Sequence, residues 1–255
     1  NTTVGFRSLY SITTGGENVA MGSEALKHIT TGNKNVGLGY QAIRNNVTGA
    51  NNVAIGYEAL ETASGESNSN NTAVGYQSLK AVTTGVENIA IGSGAGDSIT
   101  TDSRVVAIGY EAYASNDTTN AHDNSSASAR GSGNTAIGYK SMTNLNQQNF
   151  LRNTAVGFET MSVATTWAPK DNVALGYKAL RAITSGTFNS AIGSQSLLSV
   201  TTGGYNNAVG SQALDALTTG VENQAMGVGA LGSLTTQGSN IAIGGYAGTG
   251  ITGSD

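Results

Sequence analysis

Residues Asn52–Leu60 read N-V-A-I-G-Y-E-A-L, and near-copies follow at Asn71–Leu79 (N-T-A-V-G-Y-Q-S-L) and Asn172–Leu180 (N-V-A-L-G-Y-K-A-L). Aligned on its glycine, the phrase occurs fourteen times, from Gly5 to Gly244. Nine of the thirteen spacings are 17 residues, three are 19 and one is 29. A short period sustained along a whole chain marks a quasi-one-dimensional stack, in which each repeat packs on its neighbours.

The columns of the alignment carry the physics. Counting from the motif glycine, position −1 is aliphatic or Met in every copy, from Val4 to Ile243. Position −2 is Ala in twelve copies, with Thr3 and Gly37 as exceptions. Position −4 is Asn in thirteen copies, with Val105 as the departure. A disordered polar chain has no reason to keep such columns, whereas a stack does. The −1 column is expected to form an apolar ridge inside the coil. The Asn column is expected to form a structural ladder: Asn18, Asn35, Asn52, Asn71, Asn88, Asn134, Asn153, Asn172, Asn189, Asn206, Asn223 and Asn240. Each amide would bond its neighbours above and below or cap the backbone at a corner, because a buried amide is costly unless paired.

The segment N-x-A-φ-G (φ here an apolar residue) has β character and ends on Gly, so one short parallel strand per coil is expected. After the glycine, Ser23–Ile29 (SEALKHI) and Tyr177–Ile183 (YKALRAI) hold good helix formers, with apolar residues three apart. That spacing favours a helical turn, with a second strand as the competing reading. Thr-Thr-Gly then closes the coil, as at Thr30-Thr31-Gly32, where Gly suits a tight corner. The expected fold is a parallel repeat β-solenoid of about 14 coils of 17 residues. It would occupy residues 1–255 as a single domain, with a loop insertion at 115–133.

Composition narrows the function classes. The chain has 255 residues, 38% hydrophobic, 11% charged and a net charge of −4. Twelve Lys and Arg do not make the basic footprint of a nucleic-acid binder, nor one suited to an anionic membrane. No eighteen-residue apolar run suggests a transmembrane helix. Cysteine is absent, which removes disulfides and thiolate chemistry. The opening NTTVGFRSLY already belongs to the repeat, so the chain is expected to begin mid-protein.

Chemistry-bearing constellations are sparse. His28 and His122 are the two histidines, and no zinc-type spacing exists. His122 with Asp123 or Asp117 could be drawn as part of a triad, but they sit in a polar stretch with nothing to rigidify them. Glu24, Glu58, Glu111 and Glu159 share a column with Gln and Lys, as on a solvated face. No enzyme activity, metal or cofactor is expected. Candidate ligand contacts are Trp167 (in Thr165–Asp171, which also holds the one proline), Asp117, His122 and Asp123 in the insertion, and Tyr40, Tyr57 and Tyr76 of the +1 column. For the +1 aromatics an intramolecular ladder with hydroxyls at the solvent edge is the favoured reading, because the column tolerates Ser.

The phrase N-[TV]-A-[VI]-G-Y-[QE]-[AS]-L followed by T-T-G resembles the 17-residue repeats of bacteriophage tail-fibre proteins and related bacterial surface proteins. Such arrays often precede an endosialidase-type intramolecular chaperone. The core N-x-A-I-G is similar to the head repeats of trimeric autotransporter adhesins. The resemblance implies a homotrimeric, extracellular fibre or cell-surface segment whose partners are copies of itself and a host-surface glycan. It also implies a processing junction at Ser254-Asp255. A thin 17-residue coil with Ala and Gly columns offers a flat face for another chain, and oligomerisation is a usual remedy for a thin core. The function expected is host attachment. The alternatives are an architectural spacer, an ice-binding solenoid using the Thr rank, and a polysaccharide depolymerase, which lacks an evident acid pair.

Overall fold

The computed structural model describes residues 1–61, 68–114, 133–143, 150–162 and 169–251. The chain divides into two compact units, Asn1–Ser132 and Gly133–Asp255. The first holds β1 (Thr2–Val4), β2 (Val19–Met21), β3 (Val36–Leu38), β4 (Val53–Ile55), β5 (Thr72–Val74), β6 (Ile89–Ile91) and β7 (Val106–Ile108). The second holds β8 (Thr135–Ile137), β9 (Thr154–Val156), β10 (Val173–Leu175), β11 (Ser190–Ile192), β12 (Asn207–Val209), β13 (Gln224–Met226) and β14 (Ile241–Ile243). Within each unit every strand pairs in parallel with the next. The register is strict: Val36 faces Val53, Gly37 faces Ala54 and Leu38 faces Ile55. Each unit is therefore a parallel β-solenoid with one three-residue strand per coil.

The inside of the coil differs from the sequence expectation. Ala20 at −2 is fully buried, whereas Met21 at −1 is 48% exposed. The same split holds for Ala54 and Ile55, and for Ala174 and Leu175. Side chains alternate along a strand, so a buried −2 column sends −1 and −3 outward. The ridge at −1 thus lines the outer face, and the core is built elsewhere. It consists of the −2 alanines, the +4 residues (Leu26, Ile43, Leu60, Leu79, Leu180) and the +7 residues (Ile29, Val82, Ile99, Ile183). The flat Ala and Gly surface expected to meet another chain is likewise interior: the −2 alanines are buried, and the motif glycines stack on one another.

Among the described residues there is no helix, and no second strand completes the coil. The segment after the glycine is a run of turns in which +2 and +4 take left-handed backbone: Glu24 at φ 59° and Leu26 at φ 52°, Lys178 at 55° and Leu180 at 49°. Reversing the backbone hand at alternate residues keeps the chain in the plane of its coil. Its N–H groups then bond to adjacent coils: Glu24 N to Phe6 O (2.8 Å), Leu26 N to Ala42 O (2.9 Å) and His28 N to Arg44 O (3.0 Å). A helix could not occupy this place. Paired strands lie about 4.8 Å apart, while packed helices need about 8–10 Å between axes.

The motif glycine is required by that close spacing. At Gly39 (φ 134°) a Cβ would lie 2.7 Å from the carbonyl carbon of Gly56. The motif glycines from Gly5 to Gly92 and from Gly138 to Gly227 meet their successors in the same way. The corner glycines Gly32, Gly186 and Gly203 would equally drive a Cβ into the next coil's carbonyl.

Candidate functional site

The buried polar feature of each unit is the Asn ladder. Asn35 receives two hydrogen bonds at its Oδ1, from Asn52 N (3.0 Å) and Asn52 Nδ2 (3.0 Å). Its own Nδ2 donates to Asn18 Oδ1 (3.1 Å) and across the coil to Gly49 O (2.9 Å). The pattern recurs at Asn52, Asn71, Asn172, Asn189, Asn206 and Asn223, and Asn240 ends it with donors to Asn223 Oδ1 and Gly238 O. Asn88 bonds Asp102 O and accepts from Val105 N, so the one coil without Asn still closes the ladder through its backbone. Asn134 donates to Phe150 O, and Asn153 donates to Asn134 Oδ1 and Pro169 O. The side chains tie the strand to a carbonyl at the next corner, most often a Gly, or to a neighbouring Asn, so these residues hold structure rather than ligand.

The +1 aromatics form stacks. Tyr40, Tyr57 and Tyr76 lie with ring centroids 5.1 and 5.4 Å apart and planes 20° and 12° off parallel. Tyr139, Phe158 and Tyr177 stack at 4.8 and 5.6 Å. Neighbouring rings cover each other's faces along the stack, so what the column offers to solvent is ring edges and hydroxyls. A sugar ring that needs an aromatic face finds the interior faces taken. The stacks also draw cations: Lys178 Nζ lies 4.8 Å from the Tyr177 centroid and Arg7 lies 5.0 Å from that of Phe6. Phe188 and Tyr205, at −5 of consecutive coils, form another stacked pair at 5.0 Å.

Beside this column the +2 and +5 side chains make ion-pair ladders. Glu24 pairs with Lys27 (2.8 Å) and Arg44 (3.0 Å), Arg44 reaches Glu61 (3.5 Å), and Lys80 pairs with Glu58 (2.6 Å). The Lys27 contact, despite burial, lowers the Glu24 carboxyl below its usual range. Burial of Glu58 pushes its carboxyl upward, but the hydrogen bonds from Lys80, Gln77 and Tyr57 outweigh it and the net shift is down. In the second unit Glu159 faces Lys178 (3.6 Å) and Arg181 (3.5 Å). Arg152 makes a two-pronged contact with Asp171 (2.6 and 2.8 Å) that lowers the Asp171 carboxyl. Asp97 departs from this pattern. Its Oδ1 is buried without a hydrogen-bond partner, and burial, then the nearby Glu111 charge, push its carboxyl up to about 6. His28 is pushed down by burial and by Lys27 and Arg44.

The first corner threonines are engaged. Thr13, Thr30, Thr83, Thr184, Thr201 and Thr218 each donate their hydroxyl to a carbonyl of the next coil, at 2.9–3.2 Å. Asp117, His122, Asp123 and Trp167 lie outside the described residues, as does Ser254-Asp255.

The outer sheet face is the feature that sequence reasoning misplaced. Columns −1 and −3 contribute Met21, Ile55, Ile89 and Ile91 in the first unit and Val173, Leu175, Ile192, Val209 and Met226 in the second, all exposed. None of the −1 and −3 positions in either unit is charged. The signal that could have revealed it is the −3 column, where Val, Ile and Thr recur two residues from −1, on the same face of the strand.

The fold and this surface define a class, the parallel β-solenoid with an apolar outer face. Comparison with family models, with curated proteins and with solved structures finds no match. Among the described residues no cluster of three His, Cys, Asp or Glu could hold a metal ion, and no helix is long and apolar enough to cross a membrane.

Proposed function

We propose that this chain is a structural segment of an extracellular fibre, of the kind found in virion tail fibres and bacterial surface adhesins, and that it assembles as a homotrimer. The observation that carries the reading is the uncharged outer face, with an aliphatic residue or Met at every −1 and Val, Ile or uncharged polar residues at −3. A strand face meant for water alternates with charged or polar residues, and large exposed apolar patches mark interaction surfaces. The stripe repeats once per coil, so the partner that matches it best carries the same repeat, namely further copies of this chain. Three copies close such a face around an axis and leave corners and ion-pair ladders in solvent.

Attachment to a host glycan is assigned to the longer repeats, whose motif glycines are 19 or 29 residues apart rather than 17. Insertions on one side of a solenoid are where binding is usually built. The facing sides of Tyr40, Tyr57 and Tyr76, covered by one another, argue against the stack as an extended sugar platform. The threonine hydroxyls bonded to neighbouring carbonyls argue against ice binding.

Sedimentation equilibrium tests the assembly. The expected mass is three times 25.7 kDa. Ile55→Lys with Ile91→Lys places two charges on the stripe, and the double variant should sediment as a monomer with an unchanged circular dichroism spectrum. A monomeric parent chain would overturn the proposal.

A further inference from the structure

The Tyr40–Tyr57–Tyr76 stack lies outside the assembly argument and has a chemistry of its own. Its rings are 43%, 45% and 52% exposed, adjacent centroids are 5.1 and 5.4 Å apart, and the planes are nearly parallel. The strand register beneath fixes the spacing, since Ile55 pairs with Leu38 and with Val74 immediately before each tyrosine's glycine. The middle ring has a candidate proton acceptor in the adjacent residue: the Glu58 carboxylate, whose interaction raises the Tyr57 hydroxyl above its usual range, is held in place by Lys80 and Gln77 at 2.6 and 2.8 Å. The chain has no cysteine to intercept an oxidising equivalent as a thiol. The second unit supplies an internal contrast, because Phe158 stands between Tyr139 and Tyr177.

We propose that Tyr40, Tyr57 and Tyr76 form an oxidative cross-linking site, at which a one-electron oxidant joins neighbouring coils of one chain through a dityrosine bond centred on Tyr57. Each of two adjacent tyrosines gives one electron to the oxidant and its phenolic proton to a base, which for Tyr57 is Glu58. The two phenoxyl radicals couple through the ring carbons ortho to oxygen, forming one carbon–carbon bond. The hydrogens on those carbons then move to the oxygens and restore both phenols. The net change is the loss of two electrons and two protons, the electrons reducing the oxidant. The product is a covalent staple between successive coils, in a chain that cannot form disulfides.

The test is oxidation of the whole protein by photo-excited tris-bipyridyl ruthenium with persulfate, read by dityrosine fluorescence and by mass spectrometry of the cross-linked peptides. Links Tyr40–Tyr57 and Tyr57–Tyr76 within one chain are expected, with none between Tyr139 and Tyr177. Tyr57→Phe should abolish coupling in the first stack, because Tyr40 and Tyr76 are two coils, about 10 Å, apart. Phe158→Tyr should create coupling in the second stack, and Glu58→Gln should slow it in the first alone. Both ring exchanges keep the stacked shape, and circular dichroism verifies the fold. Links that persist in Tyr57→Phe, that join Tyr139 to Tyr177 in the parent, or that occur only between chains would overturn the proposal.

Discussion

Replacing Asn189 by Ala tests the Asn ladder most directly. Four side-chain hydrogen bonds disappear. Two are those that Asn189 Nδ2 donates to Asn172 Oδ1 (3.1 Å) and Gly203 O (2.9 Å). Two are those that Asn189 Oδ1 accepts from Asn206 N and Asn206 Nδ2 (both 3.1 Å). Not all of their partners are stranded. Asn172 Oδ1 keeps the Asn189 backbone N–H (2.9 Å), and Asn206 Nδ2 keeps Gly220 O (2.9 Å). The Gly203 carbonyl and the Asn206 N–H lose their one partner each, and both residues are buried. A stranded buried polar group costs about 1–3 kcal/mol and a lost but compensated bond about 1, so two of each give an expected loss of about 4–8 kcal/mol. Repeat arrays need not unfold in one step, so native-state hydrogen exchange at the Asn206 amide is the right assay. The neighbouring Asn207→Ala is the control: its side chain bonds Gln224 on the exposed face (2.8 Å), and it should cost under about 0.5 kcal/mol. Equal effects of the two substitutions, or a loss below about 1 kcal/mol at Asn189, would refute the idea that the ladder holds the coils.

Other outcomes follow from the same geometry. Gly193→Ala puts a Cβ 2.6 Å from the Gly210 carbonyl carbon at φ 136°, and should cost about 3 kcal/mol or more in denaturant titration. Asp97, raised from 3.8 to about 6, binds more protons folded than unfolded between those values, so its contribution is complete below pH about 4 and is lost as pH rises through 6. Two units correspond to about 3 kcal/mol, or about 2 after solvent screening. Asp97→Asn should therefore stabilise at pH 7 by about that amount and leave stability near pH 4 unchanged, as read from urea midpoints on either side of the window. Arg152→Ala, at an exposed pair with Asp171, should change stability little, and less still in high salt, as read from urea midpoints.

Much of the architecture was legible in the repeat. Thirteen asparagines at one position cannot be a solvated accident, and a glycine at a constant phase announces a close approach. What failed was local. Leu26 and Ile29 are three apart and both buried, as on a helix, yet alternating left- and right-handed residues bring them inward without one. Glu24 and Leu26 carry no mark of left-handed backbone, since Gly, Asn and Asp are the residues that ordinarily advertise it. The strand spacing did contain the correction, because a coil every 4.8 Å or so leaves no room for a helix. Hydrophobicity alone does not mark the interior of this coil. Alternation against Ala54 places Ile55 outside, and an outward Ile is informative only when its neighbours repeat it.

The left-handed residues have one more consequence. A typical coil holds three of them, at −5, +2 and +4, as Lys34, Gln41 and Ile43 do. Each carries a local penalty of about 1–2 kcal/mol, so a lone lap would be uphill by several kcal/mol before any entropy is counted. Bonds to the laps on either side offset that penalty, which makes each unit a zipper: hard to start, easy to extend, and prone to fray from its outermost laps. Its sturdiness is thus a property of the count of laps and not of any one of them.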